Sequence, residues 1–403
     1  MSAKKAFEGV LKLLPEPSSG RSNVLLGLSG GVDSAVAGKL LVEKGYQVNA
    51  AFLKVWNEDK DGAPCDEEEE RRARQVAIEL KLHDFSVYNR VTEYWNSVFT
   101  PFLDDYRTGK TPNADLACNR DIKFTLLSDE SVKKKNDLFA TGHYARILTR
   151  RDGIHLARGS DPVKDQSYFL SSVRKSALEK VLFPLGTLHK EQTRKISKWL
   201  GLPNWKSSRG MCFVGKRPML SFLSQYLVPA PGSVLYYDDG RVLSTHQGEF
   251  HFHTVGQRIG LAGPGVNERT FIVEKRLYVE PGTKQTVCDV VVCQGGNHPA
   301  LFCKQMVCDR IFESTPQSLL ESSMTLTVQT GHGAEPQTAR VELFHEDGEA
   351  RLKLRFQKPI RRSAPGQAIV LYGADLCVGG GYLLSDDYER KTESVGLLQQ
   401  GES

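Results

Sequence analysis

The stretch Asn23–Ser34, NVLLGLSGGVDS, decides the fold of this 403-residue chain. Its first half, Asn23–Leu28, is a short apolar run typical of a buried parallel strand. The residues after Ser34, AVAGKLLVEKG, have the apolar spacing of a helix that ends at Gly45. Between them, Ser29–Ser34 is a glycine-rich turn that lets backbone and ligand approach closely. Because the first amides of a helix have no partner within it, we expect a phosphate site here.

The alternation of strand and helix continues beyond this unit. We predict further strands at Tyr46–Val55, Phe85–Tyr88 and Leu138–Thr141, and a helix at Arg71–Leu82. Strands alternating with helices indicate a doubly wound parallel sheet. The N-terminal stretch MSAKKAFEGVLKLLPEP fits a leading helix packed on this domain, and it would make a poor mitochondrial transit peptide.

The pattern of polar and apolar residues changes after about Val214. Short segments of alternating polarity, from Ser233–Tyr237 to Ala368–Tyr372, are separated by Gly, Pro, Asp and Asn. This pattern is typical of a β-barrel or sandwich. We therefore predict an α/β catalytic domain over residues 1–214, a small central domain over 215–283, a C-terminal β-barrel over 284–390 and a loose tail over 391–403.

Composition excludes several classes of protein. No apolar run approaches the roughly 20 residues of a membrane span, so we expect no membrane partner. The net charge of +5, from 53 Lys and Arg against 48 Asp and Glu, is compatible with a polyanionic partner without requiring one. The eight cysteines are irregularly spaced and form no C-x-x-C pair, so we predict reduced thiols and no metal site.

The glycine-rich turn matches neither the G-x-x-x-x-G-K-[ST] loop nor the G-x-G-x-x-G fingerprint. It resembles the SGGxDS loop of the PP-loop ATP pyrophosphatases, which cut ATP between the α- and β-phosphates and adenylate a substrate. Asp33 would need a partner beside phosphate, either a helix amide or a cation such as Mg²⁺. The alternative is an ordinary glycine-rich turn with a Ser or Asp cap.

Two cysteines lie among residues that could make them reactive. In TPNADLACNR, Asp115 and Cys118 share one face of a predicted helix start, where Arg120 and Lys123 are close in sequence. A carboxylate beside a thiol can shuttle a proton. Cys212, in SSRGMCFVGKR, is flanked by basic residues that would lower its pKa. Each also has a plain alternative, an N-cap Asp with a buried Cys and a core Cys.

The ordered motifs together identify the family that the chain resembles. SGGVDSAVA, TPNADLACNRDIKF, TGHYAR, KDQSYFL, GMCFVGKR, HTVGQRIGL, GNHPALF and APGQAIVLY occur in the order of the tRNA-specific 2-thiouridylases. The resemblance runs from about Val24 to Leu383. It implies a PP-loop domain of the adenine nucleotide alpha hydrolase type, followed by a small central domain and a β-barrel.

The resemblance also implies positions for the ligands. The tRNA wobble uridine would be flipped out of its stack against Asn113, Ala114 and Asp115, because C2 is out of reach in a stacked base. Lys164, Asp165 and Gln166 match a tRNA-contact segment, with Lys164 as the natural phosphate partner. The residues matching the family's ATP site are Gly27, Leu28, Ser29, Gly30, Gly31, Val32, Asp33, Ser34, Leu53 and Gly142.

The chemistry that the resemblance implies is adenylation of the uridine C2 oxygen followed by sulfur transfer. Cys212 would receive sulfur as a persulfide from a donor protein. Either Cys118 attacks that persulfide, or the persulfide attacks C2 directly, and both routes end in a Cys118–Cys212 disulfide that a cellular reductant resets. Asp115 would act as general acid/base. ATP and Mg²⁺ are the expected cofactors.

The chain departs from the family pattern at three places. Ala114 stands where proline is usual, Ser207-Ser208-Arg209 stands where Asp-Ser-Thr is frequent, and QTGHGAEP, residues 329–336, lacks the basic-aromatic tRNA contact of the barrel. GMCFVGKR and GNHPALF resemble mitochondrial members, so we expect a mitochondrial location, with the cytoplasm as the alternative. Rival hypotheses are another PP-loop ligase or synthetase, and a tRNA-binding protein without catalysis.

Overall fold

The computed structural model describes residues 2–17, 22–56, 65–202, 214, 217–261, 268–315 and 323–387. Cys212 and the predicted tail 391–403 lie outside these residues. The N-terminal strands are β1 (Asn23–Gly27), β2 (Gln47–Lys54), β3 (Asp84–Asn89), β4 (Leu138–Ala140), β5 (Ala145–Arg150), β6 (Gly153–Arg158) and β7 (Val181–Leu182). The helices are α1 (Ala3–Leu13), α2 (Val32–Lys44), α3 (Cys65–Glu79), α4 (Val91–Tyr94), α5 (Thr100–Arg107), α6 (Ala114–Ala117), α7 (Phe124–Lys133), α8 (Ser167–Leu170), α9 (Lys175–Leu178), α10 (Lys190–Trp199) and α11 (Met219–Leu223).

The first sheet is parallel and confirms the doubly wound prediction. Its order in the described residues is β3-β2-β1-β4-β7. The chain moves outward from β1 to β2 and β3 and then returns to the other side of β1 at β4. The carboxyl ends of β1 and β4 therefore flank the switch point of the sheet, where doubly wound proteins bind ligands.

Helices cover this sheet as their sequences predict. α2 ends at Gly45, which is left-handed with φ 97°. α3 begins earlier than the predicted Arg71, and the left-handed Lys81 (φ 52°) follows its end. α1 buries Ala6, Phe7 and Val10 in the core of this domain, which confirms the prediction of a packed leading helix.

The second sheet forms the central unit. Its strands are β8 (Gly232–Tyr236), β9 (Val242–His246), β10 (Arg258–Ile259), β11 (Thr270–Val279) and β12 (Thr286–Gln294). Their order is β10-β11-β12-β8-β9, with β12 and β8 parallel. Because β12 pairs with both β11 and β8, this sheet continues past residue 283, where the sequence suggested that the central domain ends.

The third sheet closes into a barrel, as predicted. Its strands are β13 (Phe302–Asp309), β14 (Met324–Gln329), β15 (Gln337–Glu346), β16 (Glu349–Arg361), β17 (Ala368–Gly373) and β18 (Leu376–Asp386). The order β13-β16-β15-β14-β17-β18 closes through antiparallel pairing of β13 with β18. The hairpin β5–β6 of the N-terminal domain joins the same sheet where Leu376 pairs with Ala157.

The barrel and the parallel-sheet domain share a hydrophobic core. One buried cluster combines Leu116 and Phe124 of the N-terminal domain with Phe312, Tyr372 and other barrel residues. Burial of apolar surface across this boundary holds the two units in fixed register. The segment from Leu116 to Phe124, which contains Cys118, consequently packs against the barrel.

Candidate functional site

The predicted phosphate loop lies between β1 and α2, at the switch point of the sheet. Gly30 is left-handed (φ 75°), and Gly31 caps α2 without a side-chain hydrogen bond. The Ser34 hydroxyl donates to Gly31 O (3.1 Å) and accepts from Ser29 N (3.3 Å). The side chains brace the turn and leave the start of α2 without a side-chain cap, which suits an anion.

Leu53 and Gly142 lie at the same edge of the sheet. Leu53 is the penultimate residue of β2, and Gly142 follows β4. A Cβ at Gly142 would lie 2.8 Å from Ser34 N, so only glycine allows this approach to the loop. The structure thus brings the predicted nucleotide residues 27–34, 53 and 142 to the carboxyl edge of the sheet.

Asp33 has a partner that the sequence did not reveal. Lys190 Nζ at the start of α10 lies 2.5 Å from both carboxylate oxygens of Asp33. The Tyr144 hydroxyl donates to Asp33 Oδ1 (2.9 Å) and lies 2.9 Å from Thr193 Oγ1. The expected partner of Asp33 was a cation or a helix amide, and the structure supplies a lysine ammonium from a residue 157 positions away.

Asp115 and Cys118 lie on one helical turn, as the spacing predicts. Asn113 caps α6 by accepting from Asp115 N (3.0 Å), so Asn113, rather than Asp115, is the N-cap. Cys118 begins a π-helical segment that ends at Lys123. The Cys118 side chain is buried at 3% exposure, whereas Asp115 is half-buried. A carboxylate and a thiol with this spacing can exchange a proton through a bound substrate.

Burial raises the pKa of Asp115, and two neighbouring basic residues oppose that rise. The charges of Lys123 and His332 both act to lower the pKa of the carboxyl. His332 belongs to the barrel segment 329–336, where no functional contact was found in the sequence. Its ring lies 4.5 Å from the Phe169 ring, and Phe169 O accepts from Asn119 Nδ2 (3.0 Å). His332 was missed because only the fold brings the barrel to the Cys118 segment.

The barrel also fixes the chain just before this turn. Thr111 N donates to Pro365 O (2.8 Å), and Gln367 Nε2 donates to Thr111 O (2.9 Å). Gln367 lies in the APGQAIVLY motif, for which the sequence suggested no contact. The barrel therefore holds the entry to the Asn113–Asp115 segment in place.

Arg120, which the sequence placed close to the Cys118 thiol, has a carboxylate partner next to it in the chain. Its guanidinium binds Asp121 with two hydrogen bonds, Nε to Oδ1 (2.8 Å) and Nη2 to Oδ2 (2.7 Å). This ion pair neutralises most of the charge that Arg120 could direct at Cys118. Lys123 is the basic residue of this segment whose charge reaches Asp115.

His143 connects the Cys118 segment to the nucleotide edge. Its ring packs 5.6 Å from the Phe124 ring, and its Nδ1 lies 2.8 Å from Thr141 Oγ1. Burial, with a contribution from Lys123, lowers the pKa of His143 to about 3. The imidazole is therefore neutral at physiological pH, and it offers a hydrogen bond rather than a charge.

Cys212 lies outside the described residues. Val214, the described residue nearest to it in the chain, is buried at 6% exposure. Val214 belongs to the same hydrophobic cluster as Cys118 and Ala114. The fold therefore returns the chain to the Cys118 cluster within two residues of position 212.

The three residues of the predicted tRNA segment have different environments. Lys164 is exposed and lines an open cleft with His189, Lys190 and Arg194. Asp165 is buried and accepts hydrogen bonds from Arg158, Gly159 and Ser167. Gln166 Oε1 accepts from Tyr144 N (2.9 Å). The buried position of Asp165 gives it a structural role inside the protein, and the tRNA contact expected from the resemblance stays a prediction.

The other described cysteines fit their structural interpretation. Cys288, Cys293, Cys303, Cys308 and Cys377 are buried free thiols, and burial raises the pKa of each. A raised pKa keeps a thiol protonated and unreactive. The side chain of Cys65 lies outside the described residues. Among the residues that the structure describes, no group of three His, Cys, Asp or Glu side chains could hold a metal ion.

Comparisons with known proteins agree on the domain order. Family models match as a tRNA methyl transferase HUP domain over residues 22–216, a tRNA methyl transferase PRC-barrel domain over 220–279 and an aminomethyltransferase β-barrel domain over 310–383. In the part of the chain that the structure describes, no helix has the length and apolar character of a membrane span.

Curated relatives match nearly the whole chain. The tRNA-specific 2-thiouridylase MnmA 1 of Geobacillus kaustophilus is 39% identical over 89% of this chain and 94% of its own length. The tRNA-specific 2-thiouridylase MnmA of Pseudomonas putida is 38% identical over 90% of this chain and 95% of its own length. A solved U34-tRNA thiolase, NcsA from Methanococcus maripaludis, is 19% identical with a TM-score of 0.36 over 55% of this chain and 70% of its own. That last similarity is too low to support an inference.

Proposed function

The chain belongs to the tRNA-specific 2-thiouridylase family, and from this premise we propose how its residues replace the C2 oxygen of a tRNA uridine by sulfur. The observation that carries the proposal is the position of Asp115 and Cys118. They share one turn of the phosphate-loop domain, at its boundary with the barrel, with Cys118 buried and Asp115 half-buried. A phosphate loop and a buried thiol in one domain suit activation by ATP followed by sulfur transfer.

ATP is the activating substrate in this proposal. Its phosphates bind the amides at the start of α2, and the glycines Gly30, Gly31 and Gly142 let the nucleotide approach the backbone. Adenylation converts the C2 oxygen of the uridine, a poor leaving group, into AMP, a good one, and releases pyrophosphate. The uncapped N-terminus of α2 supports this assignment.

Mg²⁺ would accompany ATP, because this ion is held by substrate phosphates together with one or two carboxylates. Asp33 is the carboxylate that the loop offers, and its position in the first turn of α2 fits that task. The ion would neutralise phosphate charge. Asp33 can take this role only after Lys190 has moved away from it.

Sulfur reaches the activated uridine through two thiols. A donor protein leaves a persulfide on Cys212. The Cys118 thiolate attacks the inner sulfur, forms a Cys118–Cys212 disulfide and releases hydrosulfide, which adds to C2 and expels AMP. A two-electron thiol reductant then restores both cysteines. The shared cluster of Val214 and Cys118 supports a meeting of the two thiols.

The terminal sulfur of the Cys212 persulfide could instead attack C2 and expel AMP, which leaves a C2–S–S–Cys212 adduct. The Cys118 thiolate then attacks the Cys212 sulfur of this adduct, releases the 2-thiouridine and forms the Cys118–Cys212 disulfide. Both routes consume one persulfide and end in the same disulfide. In each, Asp115 accepts or returns a proton beside C2, and its half-buried position supports this role.

For tRNA, we propose that the flipped wobble uridine lies against Asn113, Ala114 and Asp115. Lys164, which is exposed, supports a contact with the phosphate backbone. The mitochondrial location remains a prediction, and the relatives named above are bacterial.

The decisive experiment incubates the purified protein with ATP, Mg²⁺, a persulfide source and unmodified tRNA, and measures 2-thiouridine by nucleoside mass spectrometry. Wild type, Cys118→Ser and Cys212→Ser are compared, with Cys293→Ser as the matched control for a buried cysteine outside the site. We expect thiouridine from wild type and Cys293→Ser only. AMP formation without thiouridine, equal in all four proteins, would support another PP-loop ligase. No ATP turnover at all would support a silent tRNA-binding protein.

A further inference from the structure

The Lys190–Asp33 ion pair joins the phosphate loop to α10, a part of the chain that no nucleotide motif includes. Lys190 Nζ lies 2.5 Å from both oxygens of Asp33. The side chain of Lys190 is 14% exposed and that of Asp33 is 31% exposed. The pair is therefore partly open to solvent, at the position where the loop would receive an anion.

The charge balance of the loop requires a cation when a triphosphate binds. Asp33 adds a negative charge to the first turn of α2, where its carboxylate would repel the phosphates. The Lys190 ammonium cancels that charge while no ligand is present. A triphosphate brings several negative charges, so it would compete with the single carboxylate for the ammonium.

The surroundings allow Lys190 to change partners without unfolding. Its backbone is fixed because Lys190 N donates to Asp161 Oδ2 (2.8 Å), and Asp161 also accepts from Val163 N (3.0 Å). Asp33 keeps the Tyr144 hydroxyl as a donor at 2.9 Å when the ammonium leaves. Only the flexible lysine side chain has to move.

Phosphates can reach Lys190 from the solvent. An open cleft beside it is lined by Lys164, His189 and Arg194 together with the acidic Asp161 and Glu191. Lys190 therefore lies between the start of α2 and a cleft that holds three further basic residues. The β- and γ-phosphates of ATP would lie near Lys190 if the α-phosphate bound at the loop amides.

We propose that Lys190 binds the β- and γ-phosphates of ATP, the part that leaves as pyrophosphate, and that Asp33 holds this lysine in place until the nucleotide arrives. The inference deepens the proposed function, since it rests on the use of ATP at this loop. It makes Lys190 a ligand of the leaving group, distinct from the residues that bind AMP. Exchange of the ammonium from carboxylate to phosphate would also make Asp33 available to Mg²⁺.

The test measures binding of Mg²⁺–ATP, Mg²⁺–pyrophosphate and AMP to the full-length protein by isothermal titration calorimetry. Lys190→Gln removes the charge and leaves a polar side chain that is one atom shorter, and Lys190→Arg restores the charge. Lys195→Gln is the matched control, because Lys195 lies on the same helix, is exposed and pairs with Glu191 at 2.6 Å.

We expect Lys190→Gln to weaken the binding of ATP and of pyrophosphate about 10- to 100-fold, the range of a charge-assisted hydrogen bond. AMP affinity should stay unchanged, Lys190→Arg should recover part of the loss, and Lys195→Gln should match wild type.

Two results would overturn the inference. Equal weakening of ATP and AMP by Lys190→Gln, together with a lower melting temperature, would mean that Lys190 only supports the loop. Unchanged ATP binding would mean that Lys190 is no ligand, and tighter ATP binding would mean that the lysine blocks the site. These outcomes are independent of the thiouridine assay, because calorimetry needs neither tRNA nor persulfide. Failure of the proposed function would leave the ATP and pyrophosphate affinities as stated here.

Discussion

At the scale of single residues, Asp115 is a residue of the candidate site that destabilises the folded protein. Burial raises its pKa above the value in the unfolded chain, and Lys123 and His332 offset only part of the cost. A carboxyl with a raised pKa stabilises the folded protein at low pH, where it is protonated, and that contribution is lost as the pH rises through the folded-state pKa. At neutral pH the charged Asp115 therefore lowers the free energy of unfolding.

Asp115→Asn should consequently raise the melting temperature at pH 7 and abolish formation of 2-thiouridine. The difference in melting temperature between the variant and wild type should become smaller as the pH approaches about 4, where the carboxyl of the unfolded chain also becomes protonated. Thermal unfolding followed by circular dichroism at both pH values measures the effect. A variant less stable than wild type at pH 7 would contradict this account of Asp115.

Lys164 and Asp165 are neighbours in one motif with opposite roles. Asp165 is buried with Arg158, so Asp165→Ala leaves the guanidinium without its carboxylate and should lower the free energy of unfolding by about 3 kcal/mol. Lys164→Ala, on the exposed side, should change stability by less than about 0.5 kcal/mol and weaken tRNA binding. Urea unfolding and tRNA filter binding separate the two effects. Similar loss of stability in both variants would contradict the assignment.

At the scale of secondary-structure elements, helix α3 packs directly against Gly30 of the phosphate loop and constrains it. A Cβ at Gly30 would lie 2.8 Å from Ala73 N, 2.9 Å from Arg72 Cβ and 3.0 Å from Glu69 O. The loop and the helix backbone are thus in direct contact, and glycine is required for space as well as for its positive φ. The position of α3 sets the position of the loop.

Gly30→Ala should therefore displace α3 or the loop and remove ATP binding. Gly240→Ala is a close control, because Gly240 has φ 74° against 75° for Gly30 and no heavy atom within 4 Å of its added Cβ. A left-handed alanine should lower the free energy of unfolding by about 1 kcal/mol in both variants. The close contact with α3 should lower it by roughly 2 kcal/mol more in Gly30→Ala. The melting temperature measures the loss of stability, and titration with ATP measures the loss of binding. Equal behaviour of the two variants would show that α3 does not constrain the loop.

At the scale of the whole molecule, an arginine of a buried ion pair in the barrel also binds the central sheet. Arg362 Nε donates to Asp386 Oδ2 (2.8 Å), and Arg362 Nη1 donates to Val273 O (2.9 Å) and Ala300 O (3.3 Å). The two side chains are only 8% and 7% exposed. One side chain of the barrel thereby fixes the orientation of the neighbouring sheet.

Arg362→Met should lower the free energy of unfolding by about 3 kcal/mol, because Asp386 stays buried without its guanidinium. The double variant Arg362→Met, Asp386→Leu should recover much of this loss, since no buried charge remains. Guanidinium unfolding measures both. A double variant that is no more stable than the single one would show that the loss comes from the hydrogen bonds of Arg362 to Val273 O and Ala300 O, which both variants lack, and not from the buried charge of Asp386.

The sequence by itself determined the parallel sheet, the phosphate loop and the helical turn of Asp115 and Cys118. Each depends on residues close in the chain, where apolar period, glycine positions and helix spacing act directly. It also indicated the barrel from its alternating strands, and the family from ordered motifs.

Only the tertiary structure decided the partners of these residues. Lys190 lies 157 positions from Asp33, and His332 reaches Asp115 from a barrel loop. Asp165, expected at the tRNA surface, is buried against Arg158. Charge pairing and burial depend on which distant surfaces the core brings together, and no local pattern records that choice.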